Sequence, residues 1–223
     1  MHAVGIVAAA GSGLRLGADR PKALVPLGGR ALVCWAVDAL RAAGVNDVVV
    51  AVPAHEHTAF ATVLPLDVRL VAGGETRTAS VRAALTAAGD HADVVLVHDA
   101  ARPLTPPVVV SRVLAALRNG ARAVVPVLPV VDTTVVVGDD GVIIDAVPRE
   151  SLRRVQTPQG FHRATLVSAY SAIDLLADAP GFTDDAAVVR AAGIPVATVE
   201  GHERAAKITV AHDLAVAELQ VRQ

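Results

Sequence analysis

The sequence predicts an α/β protein built on a doubly wound, mostly parallel sheet. Up to residue 128, short apolar runs of strand length alternate with segments whose apolar residues have helical spacing. The strand runs are continuously apolar, which is typical of parallel strands covered by helices on both faces. With 223 residues, 53% of them hydrophobic, the chain can bury a full core, and we predict a single domain over residues 1–223.

The predicted elements follow one another in a regular order. Strands are predicted at residues 4–10, 47–52, 68–72, 93–97 and 121–128. Helices are predicted at residues 30–43, 78–88 and 106–117. Gly44 and Gly89 follow the first two of these helices, where glycine commonly ends a helix. Because ligands in such sheets bind beyond the carboxyl ends of the strands, we expect the loops after residues 10, 72 and 97 to converge on one crevice.

The pattern changes at "TTVVVGDDGVIIDAV", residues 133–147, where two β-rich runs flank four turn residues. This arrangement predicts a β-hairpin, which has unpaired edges and too little core of its own. We therefore predict a β-arm at about residues 130–150 that packs on a second copy of the chain, giving a homodimer. Beyond it, the sequence predicts helices at 164–176 and 184–192, a strand at 195–199 and a terminal helix at 211–221.

The composition argues against several classes of partner. The net charge is −2 and aromatic residues make up 2%, so the sequence predicts neither a nucleic-acid surface nor a basic membrane patch. No apolar run approaches the roughly 20 residues of a membrane span. Cys34 is the only cysteine, which excludes an intrachain disulfide and suits a reducing compartment. We expect a cytoplasmic protein with no nucleic-acid or membrane partner.

The stretch "GIVAAAGSGLRLGADRPKAL", residues 5–24, predicts a phosphate-binding loop after the first strand. The dinucleotide fingerprint and the P-loop both fail at Leu16. Pro21 also opposes the long helix that both motifs require. What remains is a glycine-bent loop that carries Arg15 and Lys22, with backbone N–H groups available to phosphate oxygens. The alternative is an ordinary strand-to-helix turn with solvated cations.

The opening stretch resembles the nucleotidyltransferase signature, through "AAGSGLRLG" and the following "PKAL". Members of that group join a nucleoside triphosphate to a phosphorylated small molecule and share a Rossmann-like fold. Further stretches make the resemblance more selective: "GGETRTASV" (73–81), "VHDAARP" (97–103), "TPQGF" (157–161), "TDDA" (183–186) and "KIT" (207–209). In this order they resemble the 2-C-methyl-D-erythritol 4-phosphate cytidylyltransferase family.

The resemblance implies an enzyme that is a CTP-dependent nucleotidyltransferase. It would transfer a cytidylyl group to 2-C-methyl-D-erythritol 4-phosphate, giving 4-diphosphocytidyl-2-C-methyl-D-erythritol and pyrophosphate in the non-mevalonate isoprenoid precursor pathway. One alternative keeps the chemistry and changes the acceptor to another polyol phosphate, such as ribitol 5-phosphate. A guanylyl or uridylyl transferase is a second alternative, which "GGETRTAS" disfavours. A non-catalytic CTP-binding module is a third.

Three cations are the implied catalytic residues. Arg15 and Lys22 would hold the triphosphate, and Lys207 would act near the α-phosphate. An anion attacks a polyanion in this reaction, so the main requirement is charge neutralisation and alignment. Without the resemblance, Lys207 would be interpreted as a surface lysine.

Asp99 is the implied ligand of the Mg²⁺ cofactor, since it ends a strand at the crevice and Mg²⁺ takes one or two carboxylates plus substrate phosphates. The alternative is that Asp99 caps the following turn. Arg102 would order the site, either by pairing with Asp99 or by contacting phosphate. Relatives often have an acidic or amide residue shortly before the catalytic lysine. Arg204 and Ala205 stand there instead, which leaves Glu203 as a weak substitute for a second metal ligand.

Two loops carry the implied CTP-binding residues: Ala9, Ala10, Gly11, Gly74, Glu75 and Ser80. Ser80, which is expected to open a helix, would offer its hydroxyl to the base; ordinary helix capping is the alternative. The acceptor would be bound by Thr183 and, across a two-fold interface, by Thr133 and Arg149 of the arm. A monomer would then be inactive.

Two other candidate features carry no chemistry in this interpretation. His55 and His57 form an H-x-H pair with no further clustered ligand, so they are interpreted as a solvated helix start. Cys34 lies on an apolar helix and is interpreted as a core residue.

Overall fold

A computed structural model of the chain describes residues 1–11, 16–17, 19–173 and 182–222. Its strands are β1 (Ala3–Ala8), β2 (Pro26–Leu27), β3 (Arg30–Ala31), β4 (Asp47–Val52), β5 (Arg69–Ala72), β6 (Val94–Asp99), β7 (Ala123–Pro129), β8 (Thr134–Val137), β9 (Ile143–Val147), β10 (Arg153–Val155), β11 (Gln159–His162) and β12 (Ala197–Glu200). Its α-helices are α1 (Leu32–Arg41), α2 (His57–Val63), α3 (Arg77–Ala88), α4 (Pro107–Arg118), α5 (Arg163–Ile173), α6 (Asp185–Ala191) and α7 (Ala211–Val221).

The central sheet is mostly parallel, as the alternating pattern predicted. Strands β5, β4, β1 and β6 lie side by side and run in the same direction. Strand β11 is antiparallel and joins β6 to β7, while β12 pairs with β7 in parallel and β10 pairs with it antiparallel. The predicted α/β fold with a doubly wound, mostly parallel sheet is therefore confirmed.

Helices cover both faces of this sheet, and successive strand residues face opposite sides. In β6, for example, Leu96 packs with α1 and α4 on one face, whereas Val95 and Val97 pack with α3 and α5 on the other. Because both faces are buried, the strands have no polar alternation, which explains the continuously apolar runs in the sequence.

The hairpin is present as a separate two-stranded antiparallel sheet formed by β8 and β9. Its apolar side chains are open to solvent in the single chain; Ile143 is 62% and Ile144 67% exposed. The hairpin itself is confirmed, whereas its role in a dimer stays a prediction.

Several elements differ from the sequence prediction. Strands β2, β3, β10 and β11 were not predicted, and each is four residues or shorter. Helix α2 begins at His57, which agrees with the interpretation of His55 and His57 as a helix start. The predicted helix at 164–176 is observed as α5, and its last three predicted residues lie outside the described part of the chain. No helix in the described ranges is long and apolar enough to cross a membrane.

Candidate active site

A cleft of about 580 Å³ lies beyond the carboxyl ends of β1, β5 and β6. The loops after these three strands line it together, as the sequence predicted. The following residues form its wall: Ala8, Ala9, Ala10, Gly11, Leu16, Lys22, Ala23, Gly74, Glu75, Thr76, Arg77, Ser80, Asp99, Ala100, Ala101, Lys207 and Thr209. Most of the residues assigned to catalysis and CTP binding are thus brought to one place.

Asp99 is the acidic centre of the cleft. It ends β6, is nearly buried, and accepts a hydrogen bond from Nζ of Lys207 at 2.9 Å. Nε of Arg77 lies 3.3 Å from its other oxygen, and Nε of Arg102 lies 3.9 Å away. Burial alone would raise the pKa of Asp99, but the charges of Arg77, Lys207 and Arg102 hold it well below its usual range. Asp99 is therefore an anion at neutral pH.

A buried hydrogen-bond chain fixes the backbone of Asp99 from behind. Oγ1 of Thr157 accepts a hydrogen bond from the Asp99 amide at 3.1 Å and lies 2.8 Å from Nδ1 of His98. His98 is completely buried, and burial lowers its pKa to about 4, so its ring is neutral at pH 7. Thr157 begins the stretch "TPQGF", for which the sequence predicted no role in the site. The structure shows that it holds Asp99.

Arg77 is the principal site residue that the sequence analysis missed. It lines the cleft and bridges two carboxylates, with Nε near Asp99 and Nη1 2.6 Å from Oδ2 of the fully buried Asp185. The hydroxyl of Tyr170 donates a second hydrogen bond to Asp185. Burial alone would lower the pKa of Arg77, but the two carboxylates raise it above its ordinary value. The sequence did contain a signal: Arg77 lies in the quoted stretch "GGETRTASV", and Asp185 lies in "TDDA".

Lys207 is presented to Asp99 by a segment that is fixed on both sides. The amide of Ile208 donates to the carbonyl of Ala101 at 2.8 Å. On the other side, the Asp213 carboxylate accepts hydrogen bonds from the amides of Thr209 and Val210 at 2.7 and 2.9 Å. The backbone is thus anchored while the Lys207 side chain stays 43% exposed, so it is accessible from the cleft.

The two predicted CTP-binding loops approach each other closely. A Cβ on Gly73 would lie 2.7 Å from Cβ of Ala10 and 2.8 Å from Oγ of Ser80, so only glycine fits there without a shift. Ser80 was expected to open a helix, and this expectation is wrong. It lies inside α3, whose N-cap is Thr76, and its hydroxyl is 2.9 Å from the Thr76 carbonyl and 3.3 Å from that of Gly74.

Of the two cations predicted on the first loop, the structure describes Lys22 and not Arg15. Lys22 follows Pro21, begins a short 3₁₀ turn and lines the cleft. Arg15 lies outside the described residues.

Arg102 connects three segments beneath the cleft. Nη1 donates to the carbonyl of Ala205 at 2.7 Å and Nη2 to that of Val155 at 3.2 Å, while Nε faces Asp99. Arg102 does not line the described cleft wall. Of the two roles expected for it, this geometry favours ordering the site over contacting phosphate.

The three residues assigned to the acceptor lie away from the described cleft wall. Thr133 and Arg149 are exposed at the base of the arm, where Nη1 of Arg149 donates to the carbonyl of Val131 at 2.8 Å. Thr183 is also exposed, two residues before α6. In the single chain these three residues therefore do not form part of the described cleft wall.

Glu203 is turned away from the cleft as well. Its carboxylate pairs with Nη2 of Arg154 at 3.1 Å, and it does not contribute to the cleft wall. The carboxylates on the described wall are Asp99 and Glu75. The expectation that Glu203 could supply a second metal ligand thus has no support in this geometry.

Comparisons with known proteins identify the relatives of this chain. The family model described as "IspD: 2-C-methyl-D-erythritol 4-phosphate cytidylyltransferase" matches residues 3–223. A protein of that name from Nocardia farcinica is 51% identical over 218 residues, covering 96% of this chain and 92% of the relative. One from Frankia casuarinae is 49% identical over 214 residues, covering 96% and 79%.

A solved structure shows the same fold. The crystal structure of 2-C-methyl-D-erythritol 4-phosphate cytidylyltransferase from Thermus thermophilus matches with a TM-score of 0.82 and 39% sequence identity, covering 100% of both chains. Another acceptor, another nucleotide and a non-catalytic module are the alternatives that the sequence alone leaves open. The chain belongs to the 2-C-methyl-D-erythritol 4-phosphate cytidylyltransferase family, enzymes that transfer a cytidylyl group from CTP to 2-C-methyl-D-erythritol 4-phosphate in the non-mevalonate isoprenoid pathway.

Proposed function

We propose that the cleft beyond β1, β5 and β6 is where this transfer takes place, with Arg15, Lys22 and Lys207 as its catalytic cations. The observation that carries the proposal is the convergence of Lys22, Lys207 and Asp99 on one cleft wall. Three chain segments that are far apart in sequence supply these charges. Two lysines beside a carboxylate suit a polyanionic substrate that carries a metal ion.

The reaction needs charge neutralisation and alignment more than a protein nucleophile. A phosphate oxygen of 2-C-methyl-D-erythritol 4-phosphate attacks the α-phosphorus of CTP. A new P–O bond forms as the bond between the α-phosphorus and the bridging oxygen breaks, and pyrophosphate leaves with that oxygen. Lys22 and Arg15 bind the triphosphate, and Lys207 stabilises the charge at the α-phosphate in the transition state.

The metal is proposed to be Mg²⁺, with Asp99 as its protein ligand. Nucleotidyltransferases of this kind typically use a divalent metal. Asp99 fits the role because its carboxylate is ionised, faces the cleft and stands where substrate phosphates would complete the coordination. Bound there, the ion would offset the negative charge of the triphosphate. The guanidinium groups of Arg77 and Arg102 lie beside the Asp99 carboxylate and help to fix its position.

Cytosine is proposed to bind between the backbone of Ala9, Ala10 and Gly11 and the segment of Gly74, Glu75 and Ser80. Ser80 Oγ lies within donating distance of the Thr76 carbonyl, at 2.9 Å. With its hydrogen donated there, the Ser80 oxygen remains an acceptor. An acceptor suits the exocyclic amine of cytosine and not the carbonyl that uracil has at the same position.

The acceptor is proposed to be held by Thr183 and by the arm of a second chain. Thr133 and Arg149 are exposed and outside the described cleft wall, and the arm carries exposed apolar residues. A homodimer in which each arm reaches the partner's cleft accounts for both observations. The guanidinium of Arg149 would then pair with the acceptor phosphate. Each chain would form one domain over residues 1–223. The cytoplasm stays the predicted location of the enzyme.

The test is pyrophosphate release by the purified protein with Mg²⁺. Each of four nucleoside triphosphates is combined with 2-C-methyl-D-erythritol 4-phosphate, ribitol 5-phosphate or no acceptor. Release is expected only with CTP and the methylerythritol phosphate, and Lys22→Ala and Asp99→Ala should reduce it at least about a hundredfold. Arg118→Ala, an exposed cation at the end of α4, is the control.

Two results would contradict the proposal. Undiminished release by folded Lys22→Ala and Asp99→Ala variants would move the chemistry out of this cleft. Release that is equally fast with UTP would contradict the proposed reading of cytosine by the Ser80 segment.

A further inference from the structure

A second cluster of chemically active side chains lies at the edge of the sheet opposite the cleft. His2 precedes β1, Asp47 begins β4, and His91 lies in the loop between α3 and β6. These positions are at the amino ends of neighbouring parallel strands, whereas the cleft is at the carboxyl ends. We propose that His2, Asp47 and His91 form a binding site for a divalent transition-metal ion of the Zn²⁺ type.

The three ligand atoms already have nearly the spacing that such an ion needs. Oδ2 of Asp47 lies 2.9 Å from Nε2 of His91 and 3.6 Å from Nε2 of His2. All three ligand atoms lie within 4.8 Å of one another. Zinc bonds of about 2.0–2.1 Å at tetrahedral angles place neighbouring ligand atoms about 3.3 Å apart. Both histidine side chains are about half exposed, so small rotations bring their nitrogens to that spacing.

The backbone that carries these side chains is held in place. The carbonyl of His2 accepts hydrogen bonds from the amides of Asp93 and Val94 at 3.0 and 3.2 Å, and its amide donates to the Asp93 carboxylate. Asp47 pairs with Val4 in the β1–β4 register. The site therefore combines a fixed frame with adjustable side chains, which favours metal binding.

Arg69 is a further charged neighbour of the Asp47 carboxylate. Its Nη2 lies 4.0 Å from Oδ1 of Asp47, beyond hydrogen-bond distance, whereas Oδ2 faces the two imidazoles. Because the arginine charge also opposes a cation, the site should bind less tightly than a closed site with four ligands.

The donor set selects the class of ion. Two imidazoles and one carboxylate suit Zn²⁺, Co²⁺ and Ni²⁺, whereas Mg²⁺ and Ca²⁺ prefer oxygen ligands. Three protein ligands leave one tetrahedral position, which water would fill. The ion would join the first residues of the chain to β4 and to the loop before β6. It would stabilise the fold and leave the distant cleft unchanged.

The first experiment titrates the full chain with Co²⁺, a Zn²⁺ analogue with visible absorption. One equivalent should bind with the absorption of a tetrahedral site, and His91→Ala should weaken binding at least tenfold. Asp99→Asn should keep the signal, which separates this site from the cleft. The double variant His55→Ala with His57→Ala, which removes an exposed histidine pair outside the cluster, should also keep it.

The second experiment measures thermal unfolding with Zn²⁺. At about 100 times the dissociation constant, Zn²⁺ should raise the unfolding midpoint of the wild-type chain by about 5–10 °C. His91→Ala and the exposed variant His2→Ala should show no comparable rise, with their transfer activity unchanged. The proposal would be overturned if the wild-type chain bound no Co²⁺, or if His91→Ala and His2→Ala bound it as tightly as wild type.

Discussion

Arg77 joins Asp99, which faces the cleft, to a carboxylate that has no contact with solvent. Its Nε lies 3.3 Å from Oδ1 of Asp99, and its Nη1 lies 2.6 Å from Oδ2 of Asp185. Asp185 is completely buried at the start of α6. An arginine between two carboxylates keeps each from being an uncompensated buried charge, and it fixes the position of both.

The Arg77–Asp185 pair should therefore behave as one unit in stability measurements. Arg77→Lys and Asp185→Asn are each expected to lower the free energy of unfolding by about 3 kcal/mol, because each leaves the partner charge buried without its ideal partner. The double variant should lose clearly less than the sum of the two. Urea unfolding of the four proteins measures this coupling.

A matched surface pair provides the control for that cycle. Arg30 and Asp38 are 2.7 Å apart and about half exposed, so the same replacements should cost less than about 1 kcal/mol. Additive losses at Arg77 and Asp185 would show that the two residues do not act together.

The hydroxyl of Thr157 should matter for catalysis although it does not line the cleft. Thr157→Val leaves the buried amide of Asp99 and Nδ1 of His98 without their partner. We expect a loss of about 2 kcal/mol in unfolding free energy and about a tenfold lower rate of pyrophosphate release, since the metal-binding carboxylate is no longer held.

Two further threonine variants separate positioning from stability. Thr157→Ser keeps the hydroxyl and should restore most of the rate. Thr165→Val removes a buried hydroxyl that contacts Arg122, far from Asp99 in sequence, and should cost stability with the rate unchanged. A Thr157→Val enzyme with the wild-type rate would exclude the positioning role.

The parallel core could be predicted from sequence because its signals are local. Continuous apolar runs identify strands buried on both faces, as in Val95, Leu96 and Val97. Glycines mark the ends of helices, and Gly44 and Gly89 do adopt positive φ. Both signals depend on residues that lie next to one another in the chain.

Strand β11 could not be predicted because the interactions that make it a strand are non-local. It has four residues and runs antiparallel between β6 and β7. A Cβ on Gly160 would lie 2.3 Å from Cγ1 of Val113 in α4, so the glycine there permits helix packing. Without the fold, "QGF" looks like a turn. Its β role follows only from long-range pairing.

The residues of the site also divide into those with a local sequence signal and those that only the fold brings together. Asp99, Lys22 and Lys207 were found because each lies in a short motif. Arg77 and Asp185 were within quoted stretches, but they are 108 residues apart, and only the fold shows the ion pair. The His2, Asp47 and His91 cluster has no sequence signal at all, since its members come from three separate segments.

Gly73 should be required for the shape of the proposed cytosine pocket. In Gly73→Ala the new methyl group would collide with Ala10 and Ser80, both on the cleft wall. We expect the KM for CTP to rise about tenfold, because separating the two loops by a few tenths of an ångström weakens base contacts. The KM for the acceptor should change little. Steady-state pyrophosphate release measures both constants.

The neighbouring residue serves as the control for Gly73. Ala72 is exposed and does not line the described cleft wall, so Ala72→Ser should leave the KM for CTP unchanged. An unchanged KM in Gly73→Ala would mean that CTP does not contact these loops.

The arm should act on the partner's cleft and not on its own. Arg149→Ala and Lys22→Ala are each expected to be nearly inactive. Mixed and allowed to exchange in equal amounts, they should recover about one quarter of the wild-type rate, since half of the dimers are mixed and each has one intact site. Mixing Lys22→Ala with Lys207→Ala, whose changes lie in the same cleft, should recover nothing. If the Arg149→Ala mixture also stays inactive although subunits exchange, Arg149 acts within its own chain.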